Sequence, residues 1–107
     1  MTAAVTNVFT GDTIQPQVTF RDWAPVGTSG PVVDPTSVAF NVYDSNTTLI
    51  LAVASGDATI IKEAPGIYHR DWTVPNTEGT YFIEFVGTLT SEPTVIRSKI
   101  VAKFKPQ

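Results

Sequence analysis

The stretch GIYHRDWTVPNTEGTYFIEFVG, residues 66–87, decides how this chain is read. In its first run Tyr68, Arg70, Trp72 and Val74 fall on one parity, and Ile67, His69, Asp71 and Thr73 on the other. In its second run Tyr81, Ile83 and Phe85 alternate with Phe82, Glu84 and Val86. Successive side chains of an extended chain point to opposite faces, so period-two alternation marks strands half buried on a core. Pro75 to Gly79 supplies turn chemistry between the runs. The stretch therefore predicts two strands, Ile67 to Val74 and Thr80 to Thr88, with Tyr68, Trp72, Tyr81, Ile83 and Phe85 facing inward.

The same stretch holds the chain's only histidine, followed directly by an arginine and an aspartate. A catalytic histidine needs a nucleophile in reach, a cleft and an orienting partner. No nucleophile motif stands beside His69, and His69 and Asp71 lie on the outward parity. His69 thus reads as a solvated or interface residue of a strand. Arg70 is on the inward parity, so its stem is expected along the sheet end. Its head would reach water or a carboxylate, Glu78 or Asp71.

Working outward, the same alternation recurs. Ile14, Val18 and Phe20 share one face of DTIQPQVTFRDW, and Val38, Phe40 and Val42 share one face of SVAFNVYDS. TLILAVA and ATIIKE read as two short strands around Ser55-Gly56-Asp57, and a long last strand spans about Thr94 to Phe104, with Ile96, Ile100, Ala102 and Phe104 on one side. A short leading strand is expected near Val5 to Phe9. Turn signals separate these runs, and no segment has a convincing helical period. Regular short strands without helices predict one all-β domain over residues 1–107, a single antiparallel β-sandwich with about seven or eight strands. The expected core is Ile14, Val18, Phe20, Val38, Phe40, Val42, Leu49, Leu51, Tyr68, Trp72, Tyr81, Ile83, Phe85, Ile96 and Ile100. Pro16 removes an amide donor, which assigns its strand to an edge or a bulge. The long connection DWAPVGTSGPVVDPT, residues 22–36, is expected to arch from one sheet to the other. Trp23 near its start either folds over one end of the core or meets a partner.

Composition narrows the chemistry. The chain has 107 residues, about 42% of them apolar, a net charge of −3 and no cysteine. That is one domain with enough apolar material for a core. The acidic balance argues against nucleic acid as a partner, although Arg97, Lys99, Lys103 and Lys105 concentrate positive charge near the C-terminus. Without cysteine there are no disulfides, zinc thiolates or thiol nucleophiles, which is expected of assembly in a reducing cytoplasm. The first residues lack the basic and apolar regions of a secretory signal, and no apolar run approaches membrane-span length, so no membrane partner is expected. Asp12, Asp22, Asp34, Asp44 and Asp57 lie near strand ends, but no spacing matches a calcium loop. No phosphate loop, metal-binding histidine pair or nucleophile elbow is present. The reading is a non-enzyme with no catalytic residue, metal site or cofactor.

One surface stands out. Phe82 and Val86 fall opposite the core parity of their strand, and Val101 falls opposite Ile100 among Arg97, Lys99 and Lys103. Together with Trp23 these are the candidate interface residues. They form either a docking surface or a set of β-forming residues partly covered by lysine stems, and both readings stand at this level.

GDTIQPQVTFRD, then GPVVDPTSVAFNVYD, then APGIYHRDWTVPNTEGTYFIEFVG, over roughly residues 11–88, resembles small stand-alone immunoglobulin-like structural proteins of tailed bacteriophages. The shared pattern is a Gly-Asp opening, a PVDPTSV-like strand entry and a Gly-x-Tyr … Gly-Thr-Tyr hairpin. Arg70 departs from it, since similar chains more often have an apolar residue there, and the basic last strand is also unusual. The resemblance implies that the sandwich is an immunoglobulin-like antiparallel β-sandwich and that the chain is a virion component made in the host cytoplasm: a head or neck decoration, an adaptor or a fibre-like subunit. Its partners would be capsid, portal-neck or tail proteins and further copies of itself. The alternative is a carbohydrate- or host-surface-binding module in which Trp23 and loop aromatics stack on sugars.

Overall fold

A computed structural model describes residues 5–21, 30–89 and 92–104, the side chains of Val5, Thr6 and Glu92 excepted. Ten strands are found among these residues: β1 (Val5–Phe9), β2 (Thr13–Ile14), β3 (Gln17–Thr19), β4 (Val38–Tyr43), β5 (Leu49–Val53), β6 (Ile61–Ala64), β7 (Ile67–His69), β8 (Trp72–Thr73), β9 (Gly79–Leu89) and β10 (Glu92–Lys103). The fold is all-β and sandwich-like. One sheet has the order β1-β10-β9-β4-β5, and the other layer consists of β3-β7-β6 with the short pair β2-β8.

Two expectations change here. Two of the anticipated strands are interrupted. Pro16 stands between β2 and β3, and Arg70-Asp71 stands between their partners β7 and β8. Across that gap Arg70 N donates to Pro16 O at 3.2 Å, so the missing proline donor coincides with a break in the ladder. The sandwich is also not wholly antiparallel. β1 runs parallel to β10, from Val5 opposite Lys99 to Phe9 opposite Lys103.

The core lies between the layers. Val18 and Phe20 from one side and Trp72 and Val74 beyond the break meet Val38, Phe40, Val42, Val53, Tyr81, Ile83, Phe85, Ile100 and Ala102. Edge-to-face aromatic contacts tie it together, with ring centroids 5.6 Å apart for Trp72–Tyr81 and 5.1 Å for Phe40–Phe85. Phe20 lies so close to β9 that a Cβ on Gly87 would fall 2.4 Å from its ring. Ile14, Leu51, Tyr68 and Ile96 are partly buried against this cluster. Leu49, expected in the core, is 49% exposed. The register of β4 against β5 shifts between Val42 and Tyr43, so Leu49 pairs with the outward Tyr43 instead of continuing the inward row of Val53 and Leu51. Phe104 lies past the end of β10 and is exposed as well.

The connection after β3 leads to β4 in the other sheet. Its described part is pinned to the residues just after β3 by Val33 N donating to Phe20 O at 3.0 Å and by Arg21 Nη1 donating to Gly30 O at 3.1 Å. Asp34 then accepts bonds from Lys62 Nζ at 2.6 Å, Tyr68 OH at 2.8 Å and Gly66 N at 3.1 Å. Gly66 has φ +82°, and a Cβ there would meet Val33 O at 2.6 Å, so the β6–β7 turn fits under the connection only as glycine.

Candidate functional site

Phe82, Val86, Arg97, Lys99, Val101 and Lys103 come together on the outer face of the five-stranded sheet. The antiparallel register sets them in cross-strand rows. Lys99 lies opposite Phe82, which lies opposite Tyr43; Arg97 lies opposite Glu84, which lies opposite Asn41; Val86 lies between Val95 and Ala39; and Val101 faces Thr80. Lys103 sits beside Phe9 of β1. Phe82, Val86, Lys99 and Val101 are half-buried, whereas Arg97 and Lys103 are exposed. Trp23, the seventh candidate, lies outside the described residues.

Glu84 is the residue that alternation alone misjudges. It has outward parity, yet it is only 6% exposed. Four bonds satisfy its carboxylate. Oε1 accepts from Asn41 Nδ2 at 3.2 Å and Tyr43 OH at 3.4 Å; Oε2 accepts from Arg97 Nε at 3.2 Å and Nη2 at 2.5 Å. A buried carboxylate persists only when its charge and lone pairs are met, and here the next strand on each side supplies the donors. The bonds to Glu84 raise Arg97 above its usual pKa. The Arg97 side chain is still 56% exposed, so the guanidinium is held in place while facing solvent. A depression of about 260 Å³ beside it is lined by Tyr43, Thr47, Phe82 and Arg97. Arginine and aromatic side chains, fixed before a partner arrives, are the types that anchor protein interfaces. The sequence did contain a sign of this network: an acid flanked by Ile83 and Phe85 within an otherwise apolar run, with an arginine later in the neighbouring strand.

His69 and Arg70 behave differently from each other. His69 keeps its outward parity, but its side chain is only 12% exposed, not solvated. Its Nδ1 lies against Glu63 Oε1 from the neighbouring strand β6. Arg70 does turn inward, and its guanidinium carbon stands 5.2 Å from the centre of the Phe40 ring. Its head reaches a carboxylate through a hydroxyl. Nε donates to Thr59 Oγ1 at 3.1 Å and Nη1 to the backbone carbonyl of Asp71 at 2.8 Å. Thr59 Oγ1 donates in turn to Asp57 Oδ1 at 2.6 Å. The bonds from Thr59 hold the Asp57 carboxyl below its ordinary pKa, and the Arg70 charge adds to them. The carboxylate is thus Asp57 instead of the expected Glu78 or Asp71, and the ring face adds its own favourable electrostatics.

The Asp34 cluster is the other polar centre. Bonds from Lys62, then Tyr68, then the Gly66 amide hold the Asp34 carboxyl down to about 2. Desolvation, followed by the bond to Asp34, pushes Tyr68 up to about 12, so the phenol stays a donor. This cluster ties the connection before β4 to the β6–β7 turn.

Among the described residues no group of three or more His, Cys, Asp or Glu side chains is gathered for a metal ion, and no helix is long and apolar enough to cross a membrane. Comparison of the chain with protein-family models and with curated proteins finds no match to either.

Proposed function

We propose that this chain is a non-enzymatic structural subunit of a tailed-phage particle, built as an immunoglobulin-type sandwich and acting by protein–protein docking. The strand order supports the fold type. β10-β9-β4-β5 opposed to β3-β7-β6 corresponds to the G-F-C-C′ and B-E-D sheets of an immunoglobulin variable-type domain. Joining the interrupted pairs β2/β3 and β7/β8 brings the strand count to the upper end of what the sequence predicts. The observation that carries the docking role is the outer face of β9 and β10. Six of the singled-out side chains share it, around an exposed Arg97 that a buried Glu84 holds in position. The sequence resemblance to phage proteins supplies the particle.

The test is quantitative mass spectrometry of purified particles of the phage carrying the gene, counting this chain against the major capsid protein. A fixed stoichiometry is expected, and its value separates a capsid decoration from a neck or tail-end component. Absence from the particle, or a gene with no phage neighbours, overturns the reading. A free carbohydrate- or host-surface-binding module would then take its place.

A further inference from the structure

The geometry points to β5 as an edge through which two copies of this chain pair in an antiparallel, two-fold manner. β5 is the outermost strand of the five-stranded sheet. Its open side can be worked out from the neighbouring ladders. Thr88 N donates to Ser37 O, which makes residues 37 and 88 a hydrogen-bonded pair of β4 and β9. Such pairs recur at every second residue, so the odd-numbered residues of β4 turn their backbone groups to β9. Phe40 and Val42 therefore turn theirs to β5, where they face Val53 and Leu51. The N–H and C=O of Ala52, between those two, point to the open edge.

Exposed edges are blunted by charge, proline, a bulge, short length or a cover, because an uncharged one is a template for another strand. β5 is five residues long and carries a register shift at its start, but it has neither charge nor proline. Between Asp44 and Asp57 there is no charge and no proline. Leu49 and Ile50 are 49% and 43% exposed. The edge of the facing layer is different, since β6 carries Lys62 and Glu63. The register shift beside Leu49 and Leu51 bends only the start of β5, so pairing is centred beyond it, on Ala52.

The occupant is a second copy because the strand is its own complement. With Ala52 opposite Ala52, Leu51 meets Val53, a larger side chain facing a smaller one, and no charge meets itself. The two-fold axis stands perpendicular to the sheet. It joins the two five-stranded sheets into one and sets both Arg97-bearing faces on the same side. This adds a partner to the docking role proposed above, but it is read in solution and stands or falls apart from the particle count.

The test is light scattering coupled to size exclusion, over a concentration series of the full chain, with oxidative cross-linking of Ala52→Cys. Paired residues exchanging two backbone bonds have Cα atoms about 5.5 Å apart, within the roughly 4.4–6.8 Å a disulfide spans. No native cysteine competes. A concentration-dependent dimer, a disulfide-linked Ala52→Cys dimer and loss of the dimer in Ile50→Lys are expected. Phe9→Lys on β1 and Ile61→Cys on β6 serve as controls. The first should leave the dimer intact, and the second should form no cross-link. A chain that stays monomeric throughout, an open-ended aggregate, a dimer that survives Ile50→Lys or one lost in Phe9→Lys overturns the inference.

Discussion

On the inner face of β9, Tyr81, Ile83 and Phe85 are buried against Trp72, Phe40 and the rest of the apolar core. On its outer face Glu84 is buried to nearly the same degree, between Phe82 and Val86 and under Arg97, Asn41 and Tyr43. The inner residues gain from leaving water, about 1.5–3 kcal/mol for a large side chain, without needing directional partners. Glu84 gains nothing from leaving water and is tolerated because four donors replace its hydration. Inner-face burial is therefore a property of the strand pattern. Outer-face burial is a property of which residues the register brings together.

The comparison can be broken or sharpened by substitution. Trp72→Ala should have the largest effect, about 3–5 kcal/mol, because it empties the middle of the inner layer. Chemical denaturation would measure it, and a variant melting with the parent would show that the inner face does not depend on that ring. Gly87→Ala comes next, at about 1–3 kcal/mol, since the added methyl is driven into Phe20 and overpacks the same layer.

The outer face should respond differently. Arg97→Met strips Glu84 of its cation and should cost about 1–2 kcal/mol, less than a fully buried pair because Arg97 is more than half exposed. Replacing both partners, with Glu84→Leu added, should recover most of that loss, because no unpaired charge remains. A double-mutant cycle reads this directly. If the double variant is as unstable as the sum of the single ones, the outer face is an extension of the packed core and the contrast fails.

The smallest effect concerns pH and lies away from both faces. The bond from Lys62, with those from Tyr68 and the Gly66 amide, holds the Asp34 carboxyl down to about 2 in the folded chain, below its ordinary 3.8. Its contribution to stability is therefore complete above about pH 4 and is lost as pH falls toward 2. Asp34→Asn should lower stability at neutral pH and flatten this acid limb. Denaturant midpoints measured from pH 5 to 2 would show it, and an unchanged acid limb in the variant would assign the loss to other carboxylates.

Much of this was legible in the residues. Alternation identified the inward sides of β4, β9 and β10, and it assigned Trp72 and the six candidate interface residues to their correct parities. Alternation works because the strand period is two and one side of each strand faces the core. It failed at Leu49, where a register shift inserts a residue that no period anticipates. It also failed at Glu84 and His69, where burial depends on side chains contributed by neighbouring strands. Arg70 was half legible. Its inward direction followed from parity, but its partner, the Phe40 ring, comes from the opposite layer.

By itself, then, the sequence determined the strand class, the core parity and the punctuation at Pro16 and Gly66, because these follow from local backbone sterics and from hydrophobic period. Only the tertiary structure decided that β1 runs parallel to β10, that Glu84 lies under Arg97 and that β5 is the outermost described strand of its sheet. Those depend on which distant segments become neighbours, and strand pairing is settled by the packing of the whole sheet, beyond what any single strand specifies.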